Sequence, residues 1–518
     1  MRTLDRQQRR LAIFALAAAG TVAIAAAPRP PSLSLEGQYA VATMFFAAVL
    51  WVTRAIPLPV TALSIPAVLT VFGVYEDLTT PLAGFADPII FLFLAGFMLA
   101  NALQKYGIDR RIALWIVSRI GASARLLILG IMVATAFLSM WVSNTATTAM
   151  MTPIALGVLA QVVGREGVEE AGERASFSNM QVATLLGTAY AASVGGVGTL
   201  IGTPPNAIVA IYLDRLLDYQ VTFARWLVIG LPVVLITLPI VWYVLTFLVY
   251  PPEIDDVEQA RAEARRYLDA EGGLGRDERR VAAIFGVTAV LWVLGGLGQF
   301  FEPYLPATVH TTVFGGTGRT LLGTEGHQGV LYFVLIGLYA IPALSLSDTM
   351  EWENLVDIDW GTILLFGGGI ALASALADTG AIEWFANLVF DALVGAPIVL
   401  VVGSIVLFVI FLTELTSNTA TTTIIAPLLI GIGGALAVTL GVDEAAAAIF
   451  LAVSGAIAAS YAFALPVSTP PNAIVFGSGY MEQDDMLRAG ILLNVLMTVL
   501  LTAIISLLFY FVWPSVLW

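Results

Sequence analysis

The chain has 518 residues, 59% of them hydrophobic and 12% charged, with a formal net charge of −14 and a mean hydropathy of +0.90. Ordinary soluble domains carry about a quarter charged residues, so a soluble globular domain is excluded and an all-α polytopic membrane protein is expected. The apolar runs are continuous rather than alternating, which argues against a membrane β-barrel, and the acidic balance gives no reason to expect a nucleic-acid partner.

No cysteine is present, which removes disulfides and thiolate metal sites. His310 and His327, the only histidines, stand 17 residues apart in one loop, a spacing that suits solvated loop residues better than a metal site.

A basic stretch ending at Arg10 precedes an apolar segment over 11–27. It reads as an uncleaved first helix rather than a signal peptide. Spans are expected at about 38–53, 57–74 and 88–105, the first two separated by Arg54 and Pro57. The Arg-rich stretch from Lys105 to Arg125 predicts an amphipathic helix lying along the membrane interface.

Residues 126–163 are apolar except at Ser143-Asn144-Thr145-Ala146-Thr147-Thr148. Each arm is short for a span of about 20 residues, which predicts a re-entrant helical hairpin with the motif at its tip. A polar loop over 164–178 leads to a span at about 180–215, interrupted by Gly202-Thr203-Pro204-Pro205-Asn206. Paired prolines predict a helix split in two, and a span near 226–249 closes the first half.

Residues 251–280 are charged and form the one stretch of soluble character, read as a short surface helix. Spans follow at about 281–299, 328–345 and 360–377, with an irregular loop over 301–327. A second hairpin is expected over 397–438, its tip at Thr416–Thr422. It carries Ser417-Asn418-Thr419-Ala420-Thr421-Thr422. A second broken span over about 443–478 holds Ser468-Thr469-Pro470-Pro471-Asn472, and a last span runs over about 488–512.

The repetition extends beyond the motifs. Phe93-Leu94-Ala95-Gly96 matches Phe366-Gly367-Gly368-Gly369. Gly96 to Gly107 is 11 residues, as is Gly369 to Gly380; Gly107 to Ser143 is 36 and Gly380 to Ser417 is 37. The chain therefore divides into 1–37, a first repeat 38–250, a connecting loop 251–280 taken as cytoplasmic, and a second repeat 281–518. With the N-terminus inside, only Arg29, Arg215, Arg225 and Arg319 of the 23 basic residues fall outside. The same count sends the first hairpin in from the inside and the second from the outside. The reading is thus of about 11 transmembrane helices plus two re-entrant hairpins in two inverted repeats, an architecture of transporters. It places the C-terminus outside and the protein in the plasma (inner) membrane.

Hydroxyls, amides and paired prolines at membrane depth are costly unless they line a cavity. A hairpin tip bares N–H groups at one helix start, which attract anions, and C=O groups at the other helix end, which suit a hard cation. Proline breaks free further carbonyls at Gly202 and Ser468. No Lys or Arg stands near either motif in the sequence, so an anionic substrate needs co-bound cations, which favours sodium coupling. Glu414, four residues before Asn418, is the only nearby acid. It reads as a cation-recruiting group or as a structural partner held by backbone or a neighbouring helix.

These duplicated Ser-Asn-Thr motifs, each followed by Thr-Pro-Pro-Asn, resemble the divalent anion:sodium symporter family, the solute carrier 13-type dicarboxylate, citrate and sulfate transporters. The resemblance covers nearly the whole chain. It implies one sodium site at Ser139, Ser143, Asn144 and the backbone of Gly202, and a mirror site at Thr413, Thr416, Asn418 and the backbone of Ser468. It implies substrate contacts at Asn144, Thr145, Asn418 and Thr419, with Thr203 and Thr469 nearby. Ser139 and Thr413 each lie four residues before their motif serine. The resemblance further implies a homodimer and an elevator-type motion in which both hairpins and both broken helices travel together.

The leading expectation is sodium-coupled symport of a small dianion, a C4-dicarboxylate such as succinate, with two or more sodium ions. Sulfate or citrate as substrate, sodium-independent exchange and proton coupling are the alternatives. An intramembrane enzyme would need a catalytic constellation at depth, and no Ser/His or repeated acid pair supplies one. A channel would not explain two cation-type sites beside one pocket.

Overall fold

The computed structural model describes residues 5–120, 123–163, 178–253, 258–393 and 396–515. The expected loop over 164–178 lies, but for its last residue, outside them. The first helices are α1 (Arg6–Ala26), α2 (Leu35–Thr53), α3 (Leu58–Val71) and α4 (Pro88–Lys105). Polar caps set their starts: Ser34 Oγ accepts from Gly37 N, and Asp87 accepts from Ile89 N. The predicted amphipathic segment is α5 (Ile108–Arg119). It follows Gly107 at φ +61, and the repeat-matched Gly380 stands at φ +72, a left-handed turn that a side chain would strain.

Next come α6 (Ala124–Ser139) and α7 (Asn144–Val163), joined by 140–143, then α8 (Asn179–Gly196) and α9 (Pro204–Leu217), separated by 197–203. The break falls at the paired prolines, as expected. α10 (Phe223–Tyr243) closes this half and α11 (Glu258–Ala270) is the surface helix of the charged stretch. α12 (Arg276–Gly295) is followed by a segment that differs from expectation. Residues 301–327 are not wholly irregular: they hold α13 (Ala307–Phe314) and a two-stranded antiparallel ribbon of β1 (Gly316–Arg319) and β2 (Glu325–His327). Glycines at positive φ, Gly315, Gly316, Gly323 and Gly326, make these turns. A four-residue strand of Gly-Thr-Gly-Arg has no apolar alternation to announce it.

The second half runs α14 (Phe333–Leu346), α15 (Trp360–Asp378), α16 (Ala381–Leu393), α17 (Ile398–Leu415), α18 (Asn418–Ala435), α19 (Glu444–Ala458), α20 (Pro470–Gly477) and α21 (Gln483–Phe511). Among the described residues, eight helices are long and apolar enough to cross a membrane, or nine if one bent pair is a single span. α3, α6, α14 and α19 are apolar but shorter.

The two helices that precede the proline breaks form the centre. Every residue of α8 from Met180 to Gly196 is buried, and so is every residue of α19 from Ala446 to Ala458. A helix apolar on all sides belongs inside a bundle. Each packs closely through a glycine on a helix that flanks one of the motifs. A Cβ on Gly195 would strike the Ala136 backbone of α6, and one on Gly433 of α18 would come within 2.5 Å of Ala448 Cα in α19. The two halves are stitched by Tyr190 Oη, which donates to Phe463 O at 2.6 Å, and by the repeat-matched Phe93 and Phe366, whose rings meet edge to face at 5.2 Å.

Candidate functional site

The residues singled out by the motifs converge. Ser143, Asn144, Thr145, Gly202, Thr203, Asn418, Thr419, Ser468 and Thr469 line one cavity of about 550 Å³. Ser139, Thr413 and Thr416 stand behind its wall, buried. Sequence reasoning missed Phe93, Phe97, Ser417, Asp359, Thr362 and Leu365, which also belong to the lining. Ser417 and Phe93 belong to stretches already visible as repeats. Asp359 and Thr362 carried no signal.

Four helix N-termini meet here: those of α7, α9, α18 and α20. In α7 the N–H of Ala146 is taken by Ser143 Oγ at 3.3 Å and that of Thr147 by Ser143 O at 2.9 Å. In α18 Ala420 N and Thr421 N bond Ser417 in the same way, at 3.1 and 2.8 Å. The N–H groups of Asn144, Thr145, Asn418 and Thr419 are left without a protein partner among the described residues, at the positive ends of two helix dipoles. α9 and α20 differ, because prolines at their first two positions have no N–H to offer. They present hydroxyls instead. Thr203 Oγ1 makes no cap bond, whereas Thr469 Oγ1 accepts from Asn472 N at 3.2 Å. Uncharged donors from four directions can hold an anion without a lysine or arginine among the lining residues.

Behind the donors lie two matched clusters of oxygen. Ser139 Oγ donates to Ala192 O at 2.8 Å and sits 2.6 Å from the Asn144 amide. The amide atom facing Ser139 is also 3.1 Å from Ala192 O and 3.3 Å from Gly202 O. With nitrogen in that position, the amide donates to all three oxygens. With oxygen there, four oxygens face one another, an arrangement that a cation among them would stabilise. In the second half Thr413 Oγ1 donates to Asn418 Oδ1 at 2.8 Å and to Ala459 O at 2.9 Å. The hydroxyls of Ser193 and Ser460, which directly follow Ala192 and Ala459, are buried with no partner among the described residues. Oxygen-only sets of hydroxyl, amide and freed carbonyl fit sodium, a hard cation.

Two of the expected ligands use their side chains elsewhere. Thr416 Oγ1 bonds Leu412 O at 3.0 Å and also pairs with Thr421 Oγ1, while Ser468 Oγ donates to Leu465 O at 2.7 Å. Their carbonyls, not their hydroxyls, are what they can contribute. Asn206 and Asn472 brace the breaks. Asn206 Nδ2 donates to Gly196 O and Thr199 O at 2.9 and 2.7 Å, and Asn472 Nδ2 to Ala462 O and Leu465 O at 3.1 Å each.

Glu414 is the structural partner of one of its two readings. Its carboxylate accepts from Phe463 N at 2.6 Å, Ala464 N at 2.7 Å, Leu465 N at 3.1 Å and Asn494 Nδ2 at 2.7 Å. Backbone and a neighbouring helix both supply donors. No Lys or Arg stands near either motif in the sequence, but tertiary structure adds one. The fold brings Arg54 to the site's edge, where it bonds the carbonyl of Val467, one residue before Ser468. The contact spans 413 residues, which no local spacing reveals. The histidines are not the loop residues that their spacing suggests: His310 lies in α13, its Nε2 3.1 Å from Gly298 O, and His327 ends β2, its Nδ1 accepting from Gly329 N at 2.7 Å.

Residues 7–517 match the family model described as the sodium:sulfate symporter transmembrane region. The chain is 34% identical over 492 residues to a Staphylococcus saprophyticus protein named sodium-dependent dicarboxylate transporter SdcS, covering 94% of this chain and 88% of that one. It is 35% identical over 492 residues, with the same coverage, to the SdcS of Staphylococcus aureus strain USA300. Its fold is similar to the crystal structure of the Alcanivorax borkumensis YdaH transporter, with a TM-score of 0.56, 14% identity and coverage of 84% and 87% of the two chains. At that identity the likeness concerns the fold alone. With a family model spanning nearly its whole length and motifs gathered in one cavity, the chain belongs to the sodium:sulfate symporter transmembrane family.

Proposed function

We propose that the chain is a multi-pass secondary transporter that couples inward movement of a small dicarboxylate dianion, such as succinate, to sodium. One observation carries the reading: the bare N–H groups of Asn144, Thr145, Asn418 and Thr419 face one cavity, with matched oxygen clusters behind them. The dianion binds across the two helix starts. Sodium ions, held by Ser139, Ser143, Asn144 and Gly202 O on one side and Thr413, Asn418, Thr416 O and Ser468 O on the other, offset its charge. The apolar wall of Phe93, Phe97 and Leu365 favours a carbon chain over sulfate. The names of the staphylococcal relatives point the same way.

In this reading α6–α7 and α17–α18 are re-entrant hairpins in inverted repeats, and they move with α8–α9 and α19–α20 as an elevator within a homodimer. With the arginine-rich ends cytoplasmic, the cavity opens inward, because Leu58, Pro59 and Asp359–Thr362 sit at cytoplasmic ends of α3 and α15. The deciding experiment is succinate uptake into proteoliposomes under an imposed sodium gradient, with citrate and sulfate as competitors. Uptake should need sodium and rise with more than one ion per substrate. Full activity in potassium, with no sodium dependence of binding, would favour exchange. Orientation is checked by Gly273→Cys and Thr324→Cys in this cysteine-free chain. The first should label only from inside and the second only from outside.

A further inference from the structure

Arg54 ends α2 at φ 50 and ψ 33, a left-handed conformation uncommon for a bulky side chain. Its side chain is exposed, and Nη1 donates to Val467 O at 3.2 Å. Val467 is itself 67% exposed and leads directly into Ser468 and Thr469 of the cavity lining. Four and five residues beyond Arg54, Leu58 and Pro59 form another part of that lining. Arg54 therefore stands on the rim, where the start of α3 meets the unwound segment before α20.

No carboxylate pairs with it among the described residues, whereas Arg215 has Asp87 at 3.1 Å and Arg280 has Asp277 at 3.0 Å. A guanidinium carries five N–H donors in a planar fork. Arg10 adds a second positive charge on the same turn, its Nε donating to Ala55 O at 2.6 Å. Asp359, the acid on the lining, is held by Thr362 N at 3.1 Å and Thr362 Oγ1 at 2.6 Å.

We propose that Arg54 is an anion-binding station at the cytoplasmic mouth, which receives one carboxylate of the dianion on its way between cavity and cytoplasm. The inference rests on the dicarboxylate reading above. A guanidinium with spare donors suits a carboxylate bidentately. A rim charge acts on the rate of encounter and on its salt dependence. The α2–α3 turn lies outside the elements that carry the motifs, so the station serves one face of the cycle.

The test measures half-saturation for radiolabelled succinate separately from each face, in inside-out and right-side-out proteoliposomes at fixed sodium. It compares the parent with Arg54→Gln, Arg54→Lys and Arg54→Ala. Gln retains an N–H for the Val467 carbonyl and removes the charge. The expected result is about a five-fold rise at the cytoplasmic face for Gln and Ala, with the outer face unchanged and Lys, which keeps the charge but not the fork, between the parent and Gln. The gap between parent and Gln should narrow as choline chloride shortens the screening length to below about 10 Å. A Gln variant equal to the parent beside an impaired Ala variant would reduce Arg54 to a tether of Val467 and overturn the proposal. An equal rise at both faces would overturn it too. Failure of the parent itself to show sodium-driven uptake would instead remove the symport reading.

Discussion

The two motif-bearing halves place the same groups in the same relation, yet they secure their broken helices differently. In the first half the break is short, residues 197–203, and rich in glycine. Its ties are neutral: Thr199 Oγ1 donates to Met140 O, and Trp226 Nε1 donates to Val197 O at 2.9 Å. In the second half the break runs over 459–469, and Glu414 stands where Met140 stood, one residue after the Ser139/Thr413 pair. A longer unwound stretch bares more N–H groups at depth, where none can go unpaired without cost. One carboxylate collects three of them and an amide besides. All four contacts donate to it, the pattern an ionised carboxylate accepts. Matched motif geometry thus tolerates asymmetric support.

The largest expected effect tests the symmetry. Asn144→Asp and Asn418→Asp keep the shape but replace amide donors with negative charge beside the dianion. Like charges at close range in a partly dehydrated site cost several kcal/mol, on the order of 4 kcal/mol at 4 Å. Each variant should abolish succinate transport while eluting as a folded, monodisperse protein. Transport at the parental rate by either one would show that the pocket is not at the hairpin tips.

The asymmetry is tested next. Glu414→Gln puts an NH₂ group among N–H donors and should lower stability by about 2–3 kcal/mol. Met140→Leu should cost below about 1.5 kcal/mol. Thermal unfolding in detergent compares the two. Equal melting shifts would mean that the carboxylate is not what holds the second break.

A finer contrast lies between the paired threonines. Thr203→Ala should weaken succinate binding by about 1 kcal/mol, close to five-fold, without lowering stability, because its hydroxyl makes no cap bond. Thr469→Ala should lose a similar affinity and also about 1 kcal/mol of stability, because its hydroxyl caps α20. Calorimetric titration and melting of the same samples separate the two effects. The smallest change is Lys105→Gln. Lys105 Nζ reaches Thr349 O at 3.2 Å, far along the chain from both tips, so sodium-driven uptake should stay within about two-fold of the parent.

What was legible in the sequence was whatever violates the rules of an apolar span. Ser143-Asn144-Thr145 and Thr469-Pro470-Pro471 stand out because polar and helix-breaking residues need a reason to sit there. Their repetition in register marks both halves of the cavity they line. Illegible was whatever depends on backbone groups meeting across the chain. The donors to Glu414 are amides of Phe463, Ala464 and Leu465, which look like any apolar run. Arg54 reads as a loop residue until the fold places it beside Val467. The ribbon over 316–327 escaped notice because its strands are glycine-rich and exposed, without the alternation that marks a half-buried strand.

Glu414 has one further consequence. It is buried to 4% exposure, and its four hydrogen-bonding partners carry no positive charge. If the hairpins and broken helices travel as one body, that body takes a negative charge with it through the membrane voltage. A full crossing is worth about 2.3 kcal/mol per 100 mV, and a shorter travel a proportionate part. In the proposed orientation, with the cell interior negative, voltage would push that charge outward, toward the face where the next substrate waits. A dianion with two sodium ions leaves that push unchanged, and a third sodium ion cancels it. On the elevator reading, the glutamate at a position where the other half has methionine would thus add one charge to the voltage dependence of the empty carrier.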